Sequence, residues 1–118
     1  MILMDQALLI AGSDAELHAL AQTVILATSS ENVPRKEYWE VIEVRYLAAL
    51  MAHEKQNQKP KFENIKLLIW DRDLQAVEPV LKDVWASDTE AVRKSVIGAL
   101  SMRIIHICVY EDPFLGAQ

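Results

Sequence analysis

Glycine and proline are scarce in this chain, with three and four among 118 residues. That excludes a collagen-like repeat and disfavours both low-complexity disorder and a turn-rich all-β fold. There is one cysteine, Cys108, so no intrachain disulfide can form. A reducing compartment, the cytoplasm, is the expected setting. No uninterrupted apolar run approaches the roughly 18–20 residues of a membrane span. No basic segment precedes the short apolar start, so no secretory leader is expected and no membrane partner either. Basic residues are outnumbered, 12 against 17 acidic, for a net charge of −5. They are also scattered, at Arg35-Lys36, Lys59, Lys61, Arg93-Lys94 and Arg103. A phosphate backbone would meet no segregated basic patch, which argues against nucleic acid as a partner. Gly12, Gly98 and Gly116 stand alone, so there is no glycine-rich phosphate loop, and no serine sits in a GxSxG elbow.

What the chain has is apolar material, 52% of its residues. That is enough for one domain over residues 1–118 with a sizeable core and no need of a metal or disulfide. The two halves nearly repeat. Leu8-Leu9-Ile10 is followed by Asp14 and a helical pattern, and Leu67-Leu68-Ile69 by Asp73 and another. The natural division is residues 1–58 and 59–118, joined by the polar linker 55–61 with Pro60 at its end.

Residues 6–11 form a short apolar run closed by Gly12, which reads as a strand. Ser13 and Glu16 have capping-box spacing: the Ser13 hydroxyl accepts from the Glu16 N–H while Glu16 reaches back to the Ser13 N–H. The helix that follows places Leu17, Leu20, Ala21 and Val24 on one face and ends near Thr28. A second helix runs from about Arg35 to Gln56, with Val41, Val44, Leu47, Ala48 and Met51 at helical spacing. Residues 62–70 are almost continuously apolar, as in a strand covered on both faces. Residues 74–86 read as helix, with a regular start delayed to Glu78 or Pro79. Ser87 and Glu90 repeat the capping-box spacing ahead of a helix bearing Val92, Val96, Ile97 and Leu100. Residues 103–110 are β-branched and apolar on both alternating faces, a third strand. The expected fold is therefore α/β or α+β, in the order β-α-α-β-α-α-β around a small three-stranded sheet. The alternative is an all-α bundle in which the three runs belong to helices.

In a parallel sheet, function gathers beyond the carboxyl ends of the strands. Those ends carry Asp14, Asp71, Asp73, Glu111 and Asp112. On this reading they share one acidic rim, able to steer a basic protein or to hold Mg²⁺ through oxygen ligands. Gly12-Ser13-Asp14-Ala15 after a first strand and Asp71-Arg72-Asp73 after a later one resemble the Toprim fold of topoisomerases and primases. That resemblance implies Mg²⁺-dependent phosphoryl transfer. The family's glutamate at the end of the first strand is unmatched, Ala11 standing before Gly12, so no catalytic role is carried over. Residues 8–21 (LLIAGSDAELHALA) are similar to the opening unit of small bacterial immunity proteins of toxin–immunity systems. That similarity implies an inhibitor that binds another protein.

His106 and Cys108 are two apart and would share one face of the third strand, where core packing is expected rather than nucleophilic chemistry. His18 and His53 lie on helices without a second ligand at metal spacing. Tyr38, Trp39 and Tyr46 cluster on the second helix, whose apolar residues cover much of its circumference. Such a helix is either central or covered by a partner, and Trp and Tyr are favoured interface anchors.

The expected function is a non-enzymatic protein-binding module, inhibitor or immunity-like, with no cofactor and no metal. Its partner is another protein, a basic one by charge, with a homodimer as a further option. The expected contact residues are Tyr38, Trp39, Tyr46, Asp71, Asp73, Glu111 and Asp112. The rival readings are a Mg²⁺-dependent phosphoryl-transfer domain using Asp71 and Asp73, and a helical oligomeric adaptor.

Overall fold

The computed structural model describes residues 2–29 and 37–109, and they fold into six helices. These are α1 (Ile2–Ile10), α2 (Asp14–Ala27), α3 (Glu37–Glu54), α4 (Phe62–Ile69), α5 (Leu74–Leu81) and α6 (Glu90–Val109). No strand occurs among the described residues. This overturns the α/β or α+β reading and its β-α-α-β-α-α-β order. The helical alternative describes the architecture.

The burial pattern explains the correction. In α1 the buried residues are Met4 and Leu8, with Ala11 just beyond, a spacing of four and three. That is the helical period, whereas a strand would bury alternate residues. Leu9 and Ile10 complete the apolar run yet stand 56% and 76% exposed. In α4 the buried set is Phe62, Ile65 and Ile69, while Leu67 and Trp70 face outward. In α6 it is Val96, Ile97, Leu100, Ser101 and Ile104, with Met102 exposed. Two-face apolarity was the signal for a strand, but no second layer covers the other face. A helix satisfies its backbone groups internally and needs none. The backbone at His106 and Cys108 is helical too, so the shared strand face expected for them does not exist.

α3 is the hub. It packs against α2, α4, α5 and α6, while α1 leans on α2 and α4. Tyr46, Leu47, Leu50 and Met51 of α3 are fully buried, and Trp85 and Phe62 are the other large side chains sealed around them. One apolar cluster runs from α1 to α6.

Polar side chains close the helix ends. Ser13 accepts from the Glu16 N–H at 3.2 Å, as its spacing suggests, but the Glu16 carboxylate accepts from Gly12 N–H at 2.8 Å rather than from Ser13. Thr89, not Ser87, caps α6, accepting from Val92 N–H at 3.3 Å. Lys55 donates to the Leu9 carbonyl at 2.9 Å and to that of Ala11, neutralising the C-terminal end of α1. Asp5 accepts from Phe62 N–H at 2.8 Å at the start of α4. Helix α5 starts at Leu74 and contains Pro79 in its second turn.

Candidate functional site

Helices α2 and α3 lie antiparallel, and an open groove runs along their outer side. One half, about 420 Å³, is flanked by Gln22, Ile25 and Leu26 of α2 and by Glu40, Val41 and Val44 of α3. The other half, about 520 Å³, has Ala48, Ala49 and Ala52 of α3 as its floor. Asp14 of α2 and Asp83, beyond α5, stand on its walls. His18 lines both halves and joins them.

The two halves differ in character. In the first, Leu26 is 52% and Val41 62% exposed. Tyr38 stands one turn before Val41, 71% exposed, with its ring edge-on to Trp39 at 5.6 Å. Three large apolar groups at one end of a groove form the kind of patch that soluble proteins reserve for contacts. In the second half the floor is small side chains and the polar groups are carboxylates. Arg45 at its edge pairs with Asp88 at 3.5 Å, and Asp88 also accepts the Tyr46 hydroxyl at 2.5 Å. Asp14 and Asp83 have neither hydrogen bond nor ion pair among the described residues.

The residues singled out from sequence are dispersed by this fold. Tyr38 is on the surface beside the groove. Trp39 is half-buried against the core. Tyr46 is fully buried, its ring edge-on to Trp85 at 6.0 Å. Burial, then the hydrogen bond to Asp88, push its phenol well above the ordinary tyrosine range. Asp71 lies exposed in the turn after α4. Asp73 caps α5, accepting from Gln75 N–H at 3.0 Å. Between them Arg72 adopts a left-handed backbone, φ 57°, and its guanidinium lies against α6 at Gly98. Glu111 and Asp112 lie outside the described residues. The shared rim depended on parallel strands, and with the sheet gone that argument lapses. Among the described residues no three His, Cys, Asp or Glu side chains converge as a metal site.

Sequence reasoning set His18 aside for want of a second metal ligand and missed Gln22 and Leu26. The available signal was surplus: Val24-Ile25-Leu26-Ala27 carries more apolar residues than one helix face can bury. A third cavity, about 340 Å³, lies over Trp85 between Glu78 and Arg93. The two charges beside the indole are already engaged. Arg93 sits over the indole at 4.9 Å and donates to the Trp85 carbonyl at 2.9 Å, while Glu78 accepts the indole N–H at 3.1 Å.

No family model, no curated protein and no solved structure matches the chain. No helix among the described residues is long and apolar enough to cross a membrane.

Proposed function

We propose that this chain is a non-enzymatic binding module that receives an apolar helical segment of another protein in the α2–α3 groove, acting as an inhibitor or immunity-like protein. The observation that carries this reading is the pair Leu26 and Val41, which line one open groove from α2 and from α3 at 52% and 62% exposure. Two antiparallel helices present a furrow that a third helix fills by ridge-into-groove packing. Covering Leu26, Val41 and Tyr38 would each contribute up to about 1.5–3 kcal/mol before the cost of association. The immunity-like form of the reading rests on the resemblance of residues 8–21, now the end of α1 and the first half of α2.

The test is selection from a displayed library of helical peptides against the folded chain. Selected peptides should compete with one another and lose binding to Val41→Asp. That variant should keep its stability within about 0.5 kcal/mol, because the side chain is on the surface. Failure to select helical peptides, or binders indifferent to Val41→Asp, would reject the groove as the docking surface.

A further inference from the structure

We infer that the helix received by the α2–α3 groove carries a lysine or arginine, whose stem lies on Ala48, Ala49 and Ala52 and whose cation sits between Asp14 and Asp83. This rests on the groove reading above and adds the chemistry of the partner.

The two halves of the groove contrast in what they can hold. The Leu26–Val41 half suits apolar side chains. The alanine-floored half is equally open, at about 520 Å³, with His18 and Arg45 on its sides and three small side chains beneath. A long side chain from the partner must fill it or water will. The floor is methyl groups, and Val84 lies at the edge. The walls carry two carboxylates on separate elements, Asp14 from α2 and Asp83 from the segment after α5. Among the described residues no cation engages either of them. Arg45, which also lines the hollow, is drawn to Asp88. The hollow therefore presents an apolar base and an unsatisfied negative mouth. A side chain with a methylene stem and a cationic head matches both, which neither leucine nor glutamate does. The net charge of −5 likewise favours approach of a cationic partner.

The geometry also sets a spacing. From Leu26 to Asp14 along α2 is about 18 Å at 1.5 Å per residue. On a partner helix that corresponds to roughly eleven or twelve residues. The pattern is apolar residues at i, i+3 and i+7 with the cation at i+11, all on one face.

The experiment uses three fluorescein-labelled 16-residue helical peptides with leucines at i, i+3 and i+7 and Lys, Gln or Glu at i+11, read by anisotropy. The same set is made with the order reversed, because the groove accepts a helix in either direction. The lysine peptide should bind at least fivefold more tightly than the glutamine peptide, and the glutamate peptide more weakly than both. The preference should vanish in the Asp14→Asn/Asp83→Asn double variant, checked by circular dichroism to be folded. It should shrink as salt is raised from 50 to 500 mM. Equal binding of the three peptides, all lost in Val41→Asp, would overturn the cation and leave the groove standing. Absence of binding by every peptide, or binding unaffected by Val41→Asp, would overturn the groove itself. A dimer in sedimentation equilibrium that Val41→Asp converts to monomer would overturn the partner helix in favour of a second copy.

Discussion

Glu43 and Glu54 lie on the same helix, about three turns apart, and both are buried, at 4% and 5% exposure. They are held in opposite ways. Glu43 accepts one hydrogen bond at 2.9 Å, from Arg103, which also donates to the Ile25 carbonyl, Thr28 and Ser29 at the end of α2. Glu54 meets no cation in its hydrogen bonds. Its Oε2 accepts from Lys61 N–H at 2.9 Å and from the amides of Asn64 at 2.8 Å and Asn57 at 3.0 Å. Burial pushes both carboxyls up. At Glu43 the single bond and charge of Arg103 do not offset it, with Glu40 adding to the rise, and the group sits above the ordinary range. At Glu54 the three neutral donors, helped by neighbouring His53, outweigh burial and the group sits below it. Depth of burial and the number of donors together decide how well a buried carboxylate is held, and Glu43 is the more deeply desolvated of the two. Both glutamates are consumed by the fold, at the α2–α3–α6 junction and the α3–α4 corner. That leaves Asp14 and Asp83 as the acids of the groove still open to a partner.

The largest effect should come from breaking the first pair. Arg103→Met leaves Glu43 buried without its cation, at an expected cost of about 3–5 kcal/mol near neutral pH by urea denaturation. The sign with pH is definite. A folded-state carboxyl that is already raised rises further without the arginine. The native form then binds the proton more tightly than the unfolded chain does. Stability of the variant should grow as pH falls from neutral through that raised value towards the ordinary glutamate range. A small loss that does not change with pH would show that Glu43 is solvated in practice.

None of this network was legible in the sequence. Arg103 stood out only as one of a few scattered basic residues, and Glu43 as one polar position in an apolar helix. Their partners are far along the chain and become neighbours only through packing. What was legible was local. The face of α2 at Leu17, Leu20, Ala21 and Val24 follows from its period, and the Ser13 cap from its spacing to Glu16. The runs around Leu8, Leu68 and Ile105 misled because their apolar content exceeds what their helices bury. The surplus residues Leu9, Ile10, Leu67, Trp70 and Met102 are solvent-exposed. For the candidate site, Tyr38 was visible as an aromatic. The groove was not, because it needs the antiparallel placement of α2 and α3.

A smaller effect should follow at the second glutamate. Glu54→Gln replaces a carboxylate that receives three donors by an amide with one acceptor and a donor of its own. The expected cost is about 1–3 kcal/mol at neutral pH. Because the folded carboxyl lies below its unfolded value, its contribution is fully present above roughly pH 4.3. It is lost as pH falls through the folded value. The gap between wild type and variant should therefore close on acidification because the wild type loses stability, whereas for Arg103→Met it closes because the variant gains it. A gap that widens in acid would break the comparison.

The smallest change sharpens the comparison most, because it alters one donor and leaves the charge. Asn57 is exposed in the turn after α3, and its amide is the longest of the three bonds to Glu54. Asn57→Ala keeps the Lys61 N–H and the Asn64 amide in place. Water can reach the vacated side, so the expected loss is about 0.5 kcal/mol, below the roughly 1.5–3 kcal/mol usual for a hydrogen bond to a charged group. The informative readout is the Glu54 carboxyl carbon followed by NMR through an acid titration. If donors hold this carboxylate down additively, its midpoint moves up towards the ordinary glutamate value while that of Glu43 stays where it is. An unmoved Glu54 midpoint would mean that the backbone N–H and Asn64 alone set it, and that two well-placed neutral donors outmatch one arginine.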